Sequence, residues 1–235
     1  MVLNSKKIYA QFGKAVKQYS LLEDGDKVLV ALSGGKDSLL LTELLTRQSR
    51  VFKPRFSVEV VHVRMENIDY KSDTTALQRF CDDLHVPLHI VTTSFDEVQP
   101  EYSNAKPPCF LCSWARRKAI FRLAQQLGCN KIALGHHMDD IVHTALMNLC
   151  YEGRFSSMPA LLRMEKMPLT LIRPLCMVSE ADIVAHAKAN NYPQQLRHCP
   201  FEHDTKREYI RRLFAAIEQD NPEARFSIWH ALEHD

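Results

Sequence analysis

The chain has 235 residues, of which 46% are hydrophobic and 25% are charged, and its net charge is +2. This composition is typical of globular proteins, and the near-neutral charge excludes nucleic-acid binding through overall basicity, so any such surface is a local patch. No apolar run reaches membrane-spanning length, and the amino-terminal residues contain no signal-peptide core. The seven cysteines therefore indicate thiols or metal ligands, not a disulfide framework, and we expect a cytoplasmic protein that contacts no membrane.

The apolar pattern predicts strands that alternate with helices. Short apolar runs predict five strands, at residues 28–32, 56–63, 88–92, 131–134 and 169–172. Apolar residues at helical spacing predict helices at residues 4–22, 39–45, 69–84, 109–127, from 135–140 to about 150, 179–190 and 204–219.

This order of elements predicts an α/β fold with a doubly wound, parallel, five-stranded sheet. We expect a single domain spanning residues 1–235, with a basic amphipathic helix within 1–24 and a helical extension within 200–235. The lysines of the first helix leave two interpretations open, a solvated face packed on the domain or a nucleic-acid contact.

The segment Ser33–Ser38 joins the first predicted strand to the following helix. Such a junction directs backbone N–H groups and the positive end of a helix dipole at one point, which favours an anion. The two glycines let the backbone close around a phosphate, the serines add hydroxyl donors and the lysine adds a positive charge. The residues of this predicted phosphate site are Ser33, Gly34, Gly35, Lys36, Asp37 and Ser38. Their spacing fits neither the common phosphate-binding loop nor the dinucleotide-binding glycine motif, and the alternative is an ordinary turn.

Two further strand ends carry chemistry at the same predicted edge of the sheet. The backbone of Val63 would hydrogen-bond an adenine edge, and Gly135 would let a ribose approach closely. Asp37, together with Asp139 or Asp140, would hold Mg²⁺, which prefers oxygen ligands. Helix capping is the alternative role for Asp139 and Asp140.

Cys109 and Cys112 form a C-x-x-C pair at the start of a predicted helix, with Arg116 on the same face. The helix amino end and the guanidinium favour thiolate over thiol. A single pair leaves a redox pair, half of a zinc site and part of an iron–sulfur site open, and Cys199 is the next candidate ligand. The remaining four cysteines are expected to be small buried hydrophobic residues. They are Cys81, Cys129, Cys150 and Cys176.

Several motifs occur in a fixed order along the chain. They are Ser33–Ser38, Pro-Cys-Phe-Leu-Cys-Ser at 108–113, Arg116-Arg117, Gly135–Asp140, Met158-Pro159, Ile-Arg-Pro-Leu at 172–175, and Cys199. Together they resemble the tRNA 2-thiocytidine synthetase family of PP-loop enzymes, which are N-type ATP pyrophosphatases. The resemblance extends from about residue 5 to residue 215.

The resemblance implies an adenine nucleotide alpha hydrolase-like fold and a reaction that releases AMP and pyrophosphate. The Ser33–Ser38 loop would grip the β,γ-pyrophosphate of ATP while a base carbonyl oxygen of tRNA, most simply that of cytidine, is adenylated and then replaced by sulfur. A [4Fe–4S] cluster with one open iron would be held by Cys109, Cys112 and Cys199. The catalytic residues would be Lys36, Asp37, Arg116, Asp139 and Asp140.

The expected partners are tRNA and a sulfur donor, either a cysteine desulfurase persulfide or free sulfide, and a homodimer is compatible with the sequence. Two basic groups near the cysteines would hold an RNA backbone, with solvated helix faces as the alternative. They are Arg116, Arg117, Lys118 and Arg122, and Lys206, Arg207, Arg211 and Arg212.

Three alternatives stay open. His198 or His203 would complete a Cys₃His zinc site with the three cysteines. A PP-loop ligase of the amide-forming or lysidine type would use the loop without sulfur. A zinc-binding RNA-interaction protein would retain the loop as a relic.

Overall fold

The computed structural model describes residues 3–66, 73–94, 108–194 and 206–233. Six strands in these residues form one sheet: β1 (Lys27–Ala31), β2 (Ser57–Met65), β3 (Leu88–Thr93), β4 (Lys131–Ala133), β5 (Leu161–Arg163) and β6 (Thr170–Ile172). The same residues contain eight helices: α1 (Leu3–Gln18), α2 (Lys36–Gln48), α3 (Thr74–Asp83), α4 (Pro108–Gln126), α5 (Met138–Glu152), α6 (Glu180–Ala189), α7 (Lys206–Asp220) and α8 (Ala224–Glu233).

The strand order is β3-β2-β1-β4-β6-β5, and every neighbouring pair except β6–β5 is parallel. The prediction of a doubly wound α/β fold is confirmed, but the expected number of five strands, all parallel, is wrong. The additional strand is β5, which pairs antiparallel with β6 at the edge of the sheet. It has three residues, of which Leu162 and Arg163 are exposed. Three residues are fewer than the about four to eight apolar residues that indicate a buried strand, so β5 was not predicted.

Strand β1 is buried on both faces, as expected of a central parallel strand. Val28 and Val30 contact the cluster formed with α1 and α2, whereas Leu29 contacts the opposite cluster, formed with α4. All three side chains are fully buried. The loop that follows β1 is therefore attached to a strand that is buried on both faces.

The first helix packs into the core. Ile8 and Phe12 are buried in the same cluster as Val28, and Lys7 forms an ion pair of 2.7 Å with Asp182 in α6. These contacts favour the packed interpretation of this helix, which ends at Gln18 and not at residue 22 as predicted.

The carboxyl-terminal helices pack against α5. Phe214 from α7 and Ala224 from α8 share a buried cluster with Met138 and Val142. The sequence predicted α7 as a separate helix and α8 only as part of the helical extension within 200–235, of which residues 200–205 lie outside the described residues. The assignment of all 235 residues to one domain stays a prediction.

Candidate functional site

The predicted phosphate loop forms the connection between β1 and α2 and is closed by its own last serine. Ser38 Oγ accepts the backbone N–H of Gly34 at 3.1 Å and donates to the carbonyl of Gly35 at 2.9 Å. Ser33 Oγ donates to the same hydroxyl at 3.1 Å, and Ser38 is buried. Gly34 has φ +86°, a conformation that favours glycine. Ser38 therefore holds the loop backbone in place through hydrogen bonds from its buried hydroxyl, and the amino end of α2 supplies the positive end of a helix dipole.

Lys36 stands at the start of α2 between two carboxylates. Its Nζ atom lies 2.9 Å from Glu180 Oε1 and 3.2 Å from Asp37 Oδ1. Burial lowers the pKa of the ammonium, but the hydrogen bond to Glu180 and the charge of Asp37 outweigh it, so the pKa is raised. Burial likewise raises the pKa of Glu180, but the bond to Lys36 outweighs it, and the net shift is downward. The lysine is thus a permanent positive charge at the loop.

Asp139 and Asp140 begin α5, and both have protein partners. Asp140 Oδ2 accepts the backbone N–H of His137 at 3.3 Å, which caps the helix. Asp139 is buried, and its Oδ2 atom accepts the backbone N–H of Glu180 at 2.7 Å. Its Oδ1 atom lies 3.1 Å from Arg225 Nη2. Burial raises the pKa of Asp139, but the hydrogen bonds from His137 and Glu180 outweigh it and lower that pKa to about 2. The capping role that the sequence left open is present for Asp140, whereas Asp139 bonds to the start of a different helix, α6.

The three carboxylates predicted to bind Mg²⁺ surround one histidine that the sequence analysis did not assign. His137 lies 3.8 Å from Asp37 Oδ1, 3.5 Å from Asp139 Oδ2 and 3.5 Å from Asp140 Oδ2. Burial lowers the pKa of His137, but these carboxylates outweigh it and raise the pKa above its usual value. In the sequence only its position beside a second histidine in Gly-His-His marks this residue, and that position does not indicate contacts with carboxylates.

Asp37 differs from the other two aspartates. Its Oδ1 atom is buried and, within the described residues, accepts no hydrogen bond, although the Lys36 ammonium lies nearby as an ion pair. A buried carboxylate oxygen without a hydrogen bond is uncommon and fits a hard cation. Asp37 is therefore the aspartate of this site best suited to Mg²⁺.

Gly135 has a packing role in this structure. A Cβ atom at this position would lie 3.2 Å from the backbone nitrogen of Ser38 and 3.3 Å from the carbonyl carbon of Asp37. Gly135 thus lets the end of β4 approach the first turn of α2. A direct contact with ribose, as the sequence analysis expected, stays a prediction.

Arg116 links the cysteine helix to the phosphate loop. A cavity of about 70 Å³ lies at the ends of β1 and β2 under α4. Its lining residues are Ala31, Leu32, Ser33, Val61, Val63, Arg116 and Ile120. Three predicted site residues from separate parts of the chain, Ser33, Val63 and Arg116, therefore meet at one place.

A larger cavity, of about 870 Å³, lies on the other side of the loop. It is bounded by Gly34–Asp37 and by the end of α6 and the turn after it, including Lys188 and Tyr192. This size suits a nucleotide-sized ligand. The wall formed by α6 was not predicted, because the end of this helix and the Asn-Asn-Tyr-Pro segment that follows it contain no recognisable motif.

The cysteine pair lies at the start of α4. Cys109 is exposed and Cys112 is half-buried, one helical turn before Arg116. Cys199, His198 and His203 lie outside the described residues, so their relation to the pair stays a prediction. Among the described His, Cys, Asp and Glu residues, no group of three or more is arranged to hold a metal ion.

The other cysteines follow the prediction with one exception. Cys81, Cys129 and Cys176 are buried as expected. The prediction for Cys150 was wrong, because this residue is exposed near the end of α5, where the helix extends beyond the core.

Of the helices that the structure describes, none is both long and apolar enough to span a membrane.

Comparisons with known proteins agree with this geometry. Residues 4–216 match the model of the PP-loop domain family. The tRNA-cytidine(32) 2-sulfurtransferase of Bdellovibrio bacteriovorus is 36% identical, over 94% of this chain and 85% of that protein. Its counterpart in Geobacter sulfurreducens is 33% identical, over 97% of this chain and 89% of that protein.

A solved structure has the same fold. The U34-tRNA thiolase NcsA from Methanococcus maripaludis with its [4Fe-4S] cluster superposes with a TM-score of 0.80 at 24% identity, over 98% of this chain and 78% of that chain. The chain therefore belongs to the PP-loop domain family and, within it, to the tRNA-cytidine(32) 2-sulfurtransferase family.

Proposed function

We propose that this protein is an ATP-dependent tRNA sulfurtransferase that replaces the 2-carbonyl oxygen of a cytidine in tRNA with sulfur. The observation that carries the proposal is the meeting of Arg116, from the cysteine helix, with Ser33 and Val63 in one cavity. This shared cavity lies between a predicted nucleotide site and a predicted sulfur site. The names and coverage of the curated relatives support the same activity, at cytidine 32.

The nucleotide half of the reaction is assigned to the loop and its neighbours. Backbone N–H groups of Ser33–Ser38 and the ammonium of Lys36 would bind the β,γ-pyrophosphate of ATP. Mg²⁺ would be held by Asp37, whose buried Oδ1 atom accepts no hydrogen bond from the described residues. Asp139 and Asp140 would keep the helix ends around this metal in position, and Val63 and Gly135 would contact the adenosine.

The bond changes balance without a further reactant. The base carbonyl oxygen attacks the α-phosphorus of ATP, and the bond to the bridging oxygen of pyrophosphate breaks. A sulfide-level sulfur then adds to the activated carbon, and AMP leaves with the former carbonyl oxygen. Lys36 and the loop N–H groups would stabilise the negative charge that pyrophosphate acquires.

The sulfur half is assigned to the three cysteines. Cys109 and Cys112 begin α4, where the helix dipole and Arg116 favour thiolates, and thiolate is the ligand that iron–sulfur clusters use. With Cys199 these residues would hold a [4Fe–4S] cluster, which when bound offers one iron without a protein ligand to the incoming sulfur. Free sulfide in the cytoplasm would supply that sulfur directly. A persulfide from a cysteine desulfurase would supply it only together with a thiol reductant, which provides the two electrons and is itself oxidised to a disulfide.

The tRNA would lie across α4. Trp114 is exposed and carries the Lys118 ammonium 4.8 Å from the centre of its ring, and the neighbouring Arg117 is exposed. Aromatic rings stack on unpaired bases, and cations hold the phosphates beside them. A homodimer would add a second copy of this surface.

The decisive experiment uses protein purified without oxygen. With ATP, Mg²⁺, sulfide and unmodified tRNA, the protein should produce 2-thiocytidine and one AMP per thiolated base, measured by nucleoside mass spectrometry. The protein should contain iron and acid-labile sulfide. Changing Cys109, Cys112 or Cys199 to Ser should abolish both the cluster and thiolation, whereas the control Cys150→Ser should leave both within about twofold.

Two results would contradict the proposal. ADP as the product would exclude pyrophosphatase chemistry at the loop. Stoichiometric zinc that is lost in His198→Ala or His203→Ala would indicate a closed Cys₃His site, which leaves no position for sulfur.

A further inference from the structure

One arginine of α8 contacts the edge of the sheet that carries the Ser33–Ser38 loop. We call this the nucleotide edge. Arg225 of α8 has only 19% of its side chain exposed, and its Nη2 atom lies 3.1 Å from Asp139 Oδ1 and 2.7 Å from Glu218 Oε1 of α7. The family model matches residues 4–216, so Arg225 and Glu218 both lie beyond the matched region. A segment outside the family model thus contributes a charge to the edge that carries the loop.

Asp139 connects this charge to helix α6. Its second oxygen, Oδ2, accepts the backbone N–H of Glu180, the first residue of that helix, at 2.7 Å. Oε1 of Glu180 accepts a hydrogen bond from the ammonium of Lys36 at 2.9 Å. The other carboxylate oxygen of Glu180 lies 3.7 Å from the Arg211 guanidinium of α7. Three consecutive contacts therefore join Arg225 to the lysine of the loop.

We propose that Arg225 is a positioning residue of the nucleotide site. It fixes the Asp139 carboxylate, which holds the start of α6, so that Glu180 keeps Lys36 directed at the phosphates of ATP. The proposal rests on the ATP-dependent function proposed above, and no reacting atom is assigned to Arg225 itself.

The physical reason lies in the burial of Asp139, of which 4% is exposed. A buried carboxylate is stable only while cations and donors surround it. Without Arg225 the carboxylate turns away from its present position, and its bond to the Glu180 N–H weakens. Since the first N–H groups of a helix have no partner within the helix, α6 then loses its support at the residue that binds Lys36.

The test compares three variants that differ in which contact they remove. Arg225→Gln removes the charge but keeps most of the side-chain length, Arg225→Lys keeps the charge, and Glu218→Gln disrupts only the contact between α7 and α8. Backbone amide exchange over residues 180–183 in the ligand-free protein reports the support of α6. Steady-state AMP formation gives separate KM values for ATP and for tRNA.

We expect Arg225→Gln to accelerate exchange at the start of α6 and to raise the KM for ATP about tenfold. The KM for tRNA should stay within about twofold, because the contacts of Arg225 lead to Lys36 and not to α4. Arg225→Lys should restore most of the ATP affinity, and Glu218→Gln should resemble the wild type. A general loss of packing would instead raise the KM values for ATP and tRNA together, or lower the melting temperature without a selective effect on the KM for ATP.

Three outcomes would overturn the proposal. Unchanged exchange in Arg225→Gln would show that Asp139 does not depend on the arginine, even if the variant lost activity. An unchanged KM for ATP would separate Arg225 from Lys36, and an equal effect in Glu218→Gln would assign the effect to helix packing. A wild-type protein that forms no AMP would refute the proposed function instead, while the exchange measurement would still decide the role of Arg225.

Discussion

The nucleotide edge and the cysteine helix are built by different means. At the nucleotide edge, side chains from α2, α5, α6 and α8 contact one another directly, and Lys36, Glu180, Asp139 and Arg225 form one connected series. At the start of α4, one cysteine is exposed and the next is half-buried, on a single helix. The sheet and its helix ends thus arrange the nucleotide site in advance, whereas a cluster bound by the three cysteines would itself complete the second site. The two halves should therefore fail independently.

The largest expected effect comes from removing the charge of the loop. Lys36→Ala should reduce AMP formation by at least about 100-fold, because the ammonium is assigned to the departing pyrophosphate. Iron and sulfide content should stay unchanged, since Lys36 pairs with Asp37 and Glu180 and, within the part of the chain that the structure describes, with no cysteine. Both quantities are measured on the same anaerobic preparation.

Lys7→Ala is the matched control for this variant. Lys7 also forms an ion pair with an acidic residue of α6, Asp182, but from the opposite side of that helix and with 58% of its side chain exposed. AMP formation should stay within about twofold, as an exposed ion pair contributes little. Equal losses in Lys7→Ala and Lys36→Ala would indicate that the loop lysine acts only through α6.

The second prediction concerns the cysteine helix and RNA. Reversing two exposed charges of α4, in Arg117→Glu with Arg122→Glu, should weaken tRNA binding about tenfold or more at low salt. ATP affinity should not change, because neither side chain lines the cavities beside the loop. Filter binding at several salt concentrations should show a shallower salt dependence in this variant.

The first helix provides the matched control for RNA binding. Lys14 and Lys17 are equally exposed, but α1 packs on the side of the sheet that carries α2. Lys14→Glu with Lys17→Glu should therefore weaken tRNA binding less than the α4 pair. If the two double variants weaken binding equally, the RNA surface includes α1 and the solvated interpretation of its lysines is wrong.

The sequence predicted the parts of both sites that depend on local pattern. The apolar run before Ser33–Ser38, the glycines of the loop and the C-x-x-C pair lie within short segments, where strand, turn and helix preferences agree. These features predicted the fold class, which the structure confirms, and the place of the candidate nucleotide site, which stays a prediction.

The contacts between distant segments were not predictable in this way. Glu180 stands at position 180 and Arg225 at position 225, in helices whose sequences show nothing unusual, yet both reach the start of α5 or α2. Likewise, Asp139 and Asp140 looked equivalent in the sequence, and only tertiary contacts assign one to α6 and the other to its own helix. Partners that are brought together by sheet topology leave no periodic trace.

The third prediction tests how tightly the nucleotide edge is packed. Gly135→Ala should destabilise the protein by about 1–3 kcal/mol, because the added Cβ would lie 3.2 Å from the backbone nitrogen of Ser38 and backbone cannot move aside cheaply. The same displacement of the loop should raise the KM for ATP. Chemical denaturation and AMP formation measure the two effects.

Gly13→Ala is the matched control, with the opposite sign. Gly13 lies inside α1, and a Cβ there meets no atom within 4 Å. Alanine should therefore stabilise the protein by about 0.5–1 kcal/mol through helix propensity, without any change in the KM for ATP. A Gly135→Ala variant of unchanged stability and affinity would show that the edge is more compliant than its contacts indicate.

The smallest expected effect is a pH dependence of stability from the same edge. Burial, and then the charge of Arg173, lower the pKa of His136 to about 4, and Arg173 Nε donates to His136 Nδ1 at 3.3 Å. The histidine is therefore neutral in the folded protein, whereas in the unfolded chain it gains a proton near pH 6.5. Because the folded pKa lies below the unfolded one, stability is lost as the pH falls from about 6.5 towards 4, by about 1 kcal/mol at pH 5.5.

The variant His136→Asn tests this, because its amide oxygen can still accept a hydrogen bond from Arg173. It should remove this dependence of stability on pH, measured as the free energy of unfolding at pH 7.5, 6.5 and 5.5. The raised pKa of His137 has the opposite sign and is present in both proteins. If the free energy of unfolding depends on pH equally in the two proteins, protonation of His136 does not destabilise the fold. The nucleotide edge would then accommodate an added charge despite its buried contacts.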